Sequence, residues 1–137
     1  MNFLRRSRAS AVLAVVAALG LLYDAKVHLH LAGNYDAIGS TVTQGWLFRI
    51  EAVVAIAVAL ALLVSDRWPV WAAAGLTGLA GVGAVLLYRY VDVGAIGPIP
   101  NMYEPVWFAE KLRSAYAEGA VAMLGLARAM LPRLSRG

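Results

Sequence analysis

Four apolar stretches, each close to the thickness of a bilayer, constrain this chain more than anything else in it. A helix rises about 1.5 Å per residue, so roughly 20 apolar residues cross about 30 Å of hydrocarbon. The stretches cover about 9–31, 46–64, 70–91 and 106–131. The first turns polar after Leu22, and the fourth has a polar first half. An all-α fold is expected: a four-transmembrane-helix bundle forming a single integral membrane domain over residues 1–137.

Composition agrees. The chain is 61% hydrophobic and 15% charged, against about 25% charged residues in a soluble domain, so lipid is the solvent for much of its surface. There is no cysteine, which excludes disulfides, thiol nucleophiles and thiolate metal sites within this chain. The net charge of +4 does not point to nucleic acid, because the arginines cap apolar segments instead of forming one patch. The start, 1–8, resembles a basic leader and 9–22 an apolar signal core. The following Tyr23-Asp24-Ala25-Lys26 offers no small-x-small cleavage site, so this segment is expected to stay as the first span.

The connections fit four spans. Residues 32–45 hold the loop formers Gly33, Asn34, Asp36, Gly39 and Ser40. Ser65-Asp66-Arg67-Trp68-Pro69 reads as a tight turn, with Pro69 near the next helix start. Residues 92–105, with Gly94, Gly97, Pro98, Pro100 and Pro105, are expected to form an ordered loop over the helix ends. On one side of the four spans lie Arg5, Arg6, Arg8, Arg67, Arg128, Arg133 and Arg136, against Asp66 alone. On the other lie Lys26, Arg49, Arg89, Lys111 and Arg113, against Asp24, Asp36, Glu51, Asp92, Glu104, Glu110 and Glu118. The positive-inside rule therefore places both termini in the cytoplasm and both long loops outside, in a multi-pass protein of a bacterial-type plasma membrane. Trp68 and Trp71 suit one interface; Trp46, Tyr103 and Trp107 suit the other. Gly75, Gly78 and Gly81, and the pair Ala115 and Gly119, mark expected close helix packing.

Several ionisable groups fall inside the predicted spans, on the outer half. Each costs roughly 2.5–3.5 kcal/mol at the bilayer centre on insertion scales, so they should face the interior and find partners. Tyr23, Asp24, Lys26, His28 and His30 end the first span, Arg49 and Glu51 open the second, Arg89 ends the third, and Glu110, Arg113 and Glu118 lie on the fourth. All meet at the outer side. Asp24 and His28 are neighbours at helical spacing, as are Lys26 and His30. Glu51 needs a cation, and Lys26 is the candidate. Arg49 suits a bidentate pair with a carboxylate across the bundle. Arg89 can pair with Asp92, and Glu110 shares a face with Arg113. Glu118 is the deepest acid, on too short a stem to snorkel.

His28 and His30 are the candidate metal or haem ligands. On a strand they would share a face. On a helix they point to nearly opposite sides and cannot hold one ion together; the other reading is an interfacial histidine bonded to a carboxylate such as Asp24. For the cluster as a whole two readings stay open: an ion-pair network that locks four helix ends, or a polar pocket open to the outside.

The run Leu21-Leu22-Tyr23-Asp24-Ala25-Lys26, a loop, then Arg49-Ile50-Glu51-Ala52 and Ala59-Leu60-Ala61-Leu62-Leu63 resembles the DoxX-like group of small four-helix membrane proteins over about 10–75. The resemblance implies a four-helix bundle and, for some relatives, quinone-coupled redox chemistry or a place in a redox complex. Position by position only Lys26 and Glu51 match, and residues 97–105 have no counterpart.

The chain shows no nucleophile–base pair, phosphate loop or strong metal spacing. The expected function is a non-catalytic accessory or binding protein of the bilayer, whose outer face docks a membrane protein partner, a second copy or a small ligand. The alternative is a quinone- or haem-linked oxidoreductase subunit using Tyr23, His28, His30, Arg49 and Glu110. A small-molecule transporter ranks last, because the charges crowd one side and no span is broken at mid-membrane.

Overall fold

The computed structural model describes residues 6–39 and 41–131. Ser40, the leader up to Arg5, and Arg133 and Arg136 from the charge count lie outside the described residues. Four long helices follow one another: α1, Arg8–Ala32; α2, Gln44–Val64; α3, Trp68–Tyr90; and α4, Ala109–Met130. A short 3-10 turn, Gly33–Tyr35, follows α1. The expected all-helical chain is borne out. The only β feature among the described residues is an isolated bridge between Ile96 and Ile99, closed by a Gly97-Pro98 turn.

The helix starts are set by local chemistry. Ser7 caps α1 by accepting from the Ser10 amide, and Thr43 caps α2 by accepting from the Trp46 amide, each at 3.1 Å. Pro69 opens α3, where its missing N–H costs nothing. α4 begins three residues later than expected. Val106, Trp107 and Phe108 are apolar but lie outside the helix, Phe108 with an extended backbone, and the Lys111 ammonium binds the carbonyls of Glu104 and Val106 at 2.9 and 3.0 Å.

α1 packs on α2 and α4, and α3 packs on α4 and, less extensively, on α2. The α1–α2 seam is rich in alanine: Ala14, Ala17, Ala18 and Ala25 of α1 share one buried cluster with Ala52, Ala55 and Ala59 of α2, together with Leu21 and Leu62. The α3–α4 seam is built from glycine. A Cβ on Gly78 would stand 2.5 Å from the Glu118 carbonyl oxygen and 2.6 Å from the Ala122 amide nitrogen. The expected packing role of Gly75, Gly78 and Gly81 is thus observed. That of Gly119 is not: a Cβ there meets nothing within 4 Å, and a glycine of close approach on α4 is Gly125 instead.

Large apolar side chains point outward. Val12, Val16 and Leu19 on α1, Val53 and Leu60 on α2, and Leu76 and Leu79 on α3 are all exposed. Small residues inside and branched ones outside is the reverse of a water-soluble protein and the pattern of helices packed in lipid. Among the described residues, three helices are long and apolar enough to cross a membrane, Arg8–Tyr35, Gln44–Val64 and Trp68–Tyr90, which marks a membrane protein. α4 is as long but less apolar, with Glu110, Lys111, Arg113, Glu118 and Arg128 in it. Its exposed face is still mostly apolar: Leu112, Tyr116, Met123 and Met130 look outward, while Ser114 and Glu118 are buried against its neighbours.

Ser10, Asp66 and Arg128 hydrogen-bond to one another, so the start of α1, the 65–67 turn and the end of α4 lie together at one end of the molecule. The two long loops cover the other.

Candidate functional site

At the loop end, the α1 spacing of four residues puts Asp24 and His28 on one inward face. His28 Nδ1 is 2.9 Å from the Asp24 carbonyl oxygen, 3.0 Å from its Oδ1 and 3.4 Å from Glu51 Oε2. The same spacing on α4 aligns Ser114 with Glu118. The Ser114 hydroxyl stands 2.9 Å from Asp24 Oδ1 and 2.8 Å from Glu118 Oε1. Asp24 and Glu118 are each only 1% exposed. Gly81 on α3 makes the room: Glu118 Oε2 occupies the place where a Cβ would stand. Four helices therefore converge on three carboxyls and one imidazole.

A cavity of about 220 Å3 adjoins this cluster. Its walls are apolar, with Leu47 and Phe48 from α2, Ala84 and Val85 from α3, and Phe108 ahead of α4. His28, Glu51 and Ser114 reach it from the cluster. The 92–105 loop lies over the helix ends, as expected. The Glu104 amide donates to the Tyr88 carbonyl at 2.9 Å, and its carboxylate accepts from the Tyr35 hydroxyl at 2.6 Å and from Lys111 Nζ at 3.0 Å. Met102 and Glu104 of that loop line the cavity.

The remaining predicted site residues are dispersed. Lys26 is exposed and forms no ion pair among the described residues, so it is not the partner of Glu51; His28 is. Position 26 is two residues from both Asp24 and His28 and must turn away when they turn in. Arg49 does form a bidentate pair, but with Asp36 of the adjacent loop, at 2.7 and 2.9 Å, and not across the helices. That guanidinium holds the exposed Asp36 carboxyl below the usual carboxylate range. Arg89 lies over the rings of Tyr90 and Trp107, at 4.8 and 5.7 Å, instead of pairing with Asp92. The two histidines part as a helix requires: the His30 side chain is 66% exposed, 3.7 Å from Glu110. Arg113 is exposed and makes no ion pair with Glu110. Tyr23 is half-buried and takes no part in the cluster.

The other end holds a second polar centre that sequence reasoning missed. Asp66 accepts from the Ser10 hydroxyl at 2.5 Å, the Trp71 indole at 2.9 Å and Arg128 at 3.0 Å, with Arg6 at 3.9 Å. Trp71 is therefore fully buried and no interface anchor, unlike Trp68 and Trp46, which are exposed. The available signal was Asp66 itself, the lone acid on the arginine-rich side.

Compared with known proteins, the chain matches no family model, no curated protein and no solved structure.

Proposed function

We propose that this chain is a membrane-embedded binding protein whose outer cavity holds a small, mainly apolar molecule by a polar head. The single observation that carries this reading is the cavity of about 220 Å3 with apolar walls, His28 and Glu51 at one side and a clamped loop above. Ligand sites combine such walls with a few convergent polar groups. The volume lies below the roughly 300–1,000 Å3 of drug-sized pockets, so the occupant is a small molecule or only the head of a longer one. A lipid-soluble molecule enters between α2 and α3, the neighbouring helices that touch least.

The same proposal sets all four helices across a bacterial-type plasma membrane as a bundle, with both termini in the cytoplasm. Its basis is the excess of arginine at the terminal end and the apolar outward face of α4. The DoxX-like resemblance belongs to the proposal as well; of its two matching positions, Glu51 lines the cavity and Lys26 faces away. A quinone head is a second, narrower reading, favoured by an imidazole and a carboxyl facing an apolar slot, since a quinone carbonyl needs a donor and a proton source.

Mass spectrometry of the natively extracted protein tests the reading. A small molecule should co-purify with the wild type and be lost from Ala84→Trp, which fills the cavity. A bare wild-type protein, with Ala84→Trp merely more heat-stable, overturns it.

A further inference from the structure

Three carboxyls and one imidazole share the loop-end core, and among the described residues no lysine or arginine pairs with any of the three acids. Ionised carboxylates only accept hydrogen bonds. Among the described residues, Asp24 Oδ2, Glu118 Oε2 and Glu51 Oε1 are buried and accept no hydrogen bond, and Glu51 Oε2 has only the His28 ring nitrogen near it, at 3.4 Å. Ser114 stands between Asp24 and Glu118 with one hydroxyl proton, which serves one oxygen at a time. Buried charge of this kind is tolerated when it is paired or coordinates a metal.

We propose that Asp24, His28 and Glu118 form a binding site for a divalent first-row transition metal ion of the zinc, iron or manganese class. One ligand atom from each residue lies within 4.8 Å of the others. Two ligands at about 2.2 Å from one ion span at most about 4.4 Å, so small side-chain rotations close the site. A mixed set of one imidazole and two carboxylates selects this class. Calcium and magnesium favour all-oxygen shells, and copper(I) favours thiolates and thioethers.

The surroundings suit such a site. Metal centres in helical proteins are built from side chains on facing helices, and here α1 supplies Asp24 and His28 while α4 supplies Glu118. The Ser114 hydroxyl lies within hydrogen-bond distance of one oxygen of each carboxylate and donates to either, which ties the two together. Gly81 leaves Glu118 Oε2 the space that any side chain would take. Three protein ligands leave a coordination position open, and His28 and Ser114 also line the cavity, so that position faces it. Glu51 stands close enough to His28 to serve as a fourth ligand or to take a proton from whatever binds there. The inference does not depend on what fills the cavity.

Elemental analysis of the full chain, purified in mild detergent without chelator, is the direct test, followed by chelation and titration with Zn2+ and with Mn2+. The wild type should retain about one ion per chain and be stabilised against heat by at least one of the two metals. Ser114→Ala should weaken binding about 10–100-fold, and Asp24→Asn with Glu118→Gln should abolish it. Because the double variant removes buried groups, helicity by circular dichroism is measured beside it. Gly81→Ala, which displaces the Glu118 carboxylate and removes no ligand, must also lower affinity. A folded wild type that holds no metal and gains no stability from either ion overturns the proposal. So does equal retention in the ligand variants, which would place the metal elsewhere. Ala84→Trp should leave metal content unchanged, which separates failure here from failure of the cavity reading.

Discussion

Glu51 of α2 faces His28 of α1, with 3.4 Å between Oε2 and Nδ1. Lys26, two residues earlier on the same helix, points away from both. Contacting residues show coupling of about 0.5–3 kcal/mol in double-mutant cycles, and separated ones add independently. A cycle of His28→Leu with Glu51→Leu, read by thermal unfolding in detergent, should show coupling in that range. A cycle of Lys26→Met with Glu51→Leu should show none, and Lys26→Met alone should shift stability by less than about 0.5 kcal/mol. Coupling at Lys26 and none at His28 would refute the arrangement.

The loop over the cavity depends on one carboxylate. Glu104 holds Tyr35 and Lys111 together, and its own amide holds the loop to the end of α3. Hydrogen bonds to a charged group contribute about 1.5–3 kcal/mol each, less at this partly exposed position. Glu104→Gln should therefore loosen the loop without unfolding the helices. The readout is amide hydrogen exchange: the position-104 amide should exchange about 10-fold faster, with α1 to α3 unchanged. Uniformly faster exchange would mean a global defect and no separate clamp.

Sequence length and hydropathy place the four helices to within a few residues because span length is a hard physical requirement. The start of α4 escapes this because Val106, Trp107 and Phe108 have helix-compatible hydropathy, while Lys111 binds carbonyls that precede the helix. The Asp24–His28 contact follows from four-residue spacing alone. The Lys26–Glu51 pairing fails by the same geometry: once Asp24 and His28 face inward, position 26 cannot, and periodicity already carried that conflict. Pairings between elements, such as Ser114 with Asp24 or Arg49 with Asp36, depend on helix rotation and loop path, which no local pattern encodes. The cavity depends in addition on Gly81, whose role becomes visible only against Glu118.

The α3–α4 seam should be sensitive to a single methyl group at one glycine and indifferent at another. Gly78 lies against the α4 backbone, whereas a Cβ at Gly83 meets nothing within 4 Å. Forcing atoms into a packed contact costs about 1–3 kcal/mol, and replacing an exposed helical glycine by alanine gains up to about 1 kcal/mol. Gly78→Ala should lower the unfolding temperature, and Gly83→Ala should leave it unchanged or raise it. Equal effects at both positions would show that the seam does not need close approach.

Asp66 should make stability depend on acid. Burial pushes its carboxyl up, but the hydrogen bonds from Ser10 and Trp71 and the charges of Arg128 and Arg6 outweigh that and leave it below the usual range. A group whose folded pKa lies below its unfolded value of about 3.9 stabilises the fold fully above that value and stops doing so as pH falls through the folded pKa. The wild type in detergent should therefore lose heat stability as pH drops below about 4. Asp66→Asn keeps the shape but loses the charge, so it should be less stable than the wild type at pH 7 by about 2–3 kcal/mol. Below pH 4 the gap between the two should narrow, because protonation removes from the wild type the charge that the variant already lacks. A gap that stays constant from pH 7 to pH 3 would mean that Asp66 acts by shape and hydrogen bonding alone, and that the arginines at this end are held by something else.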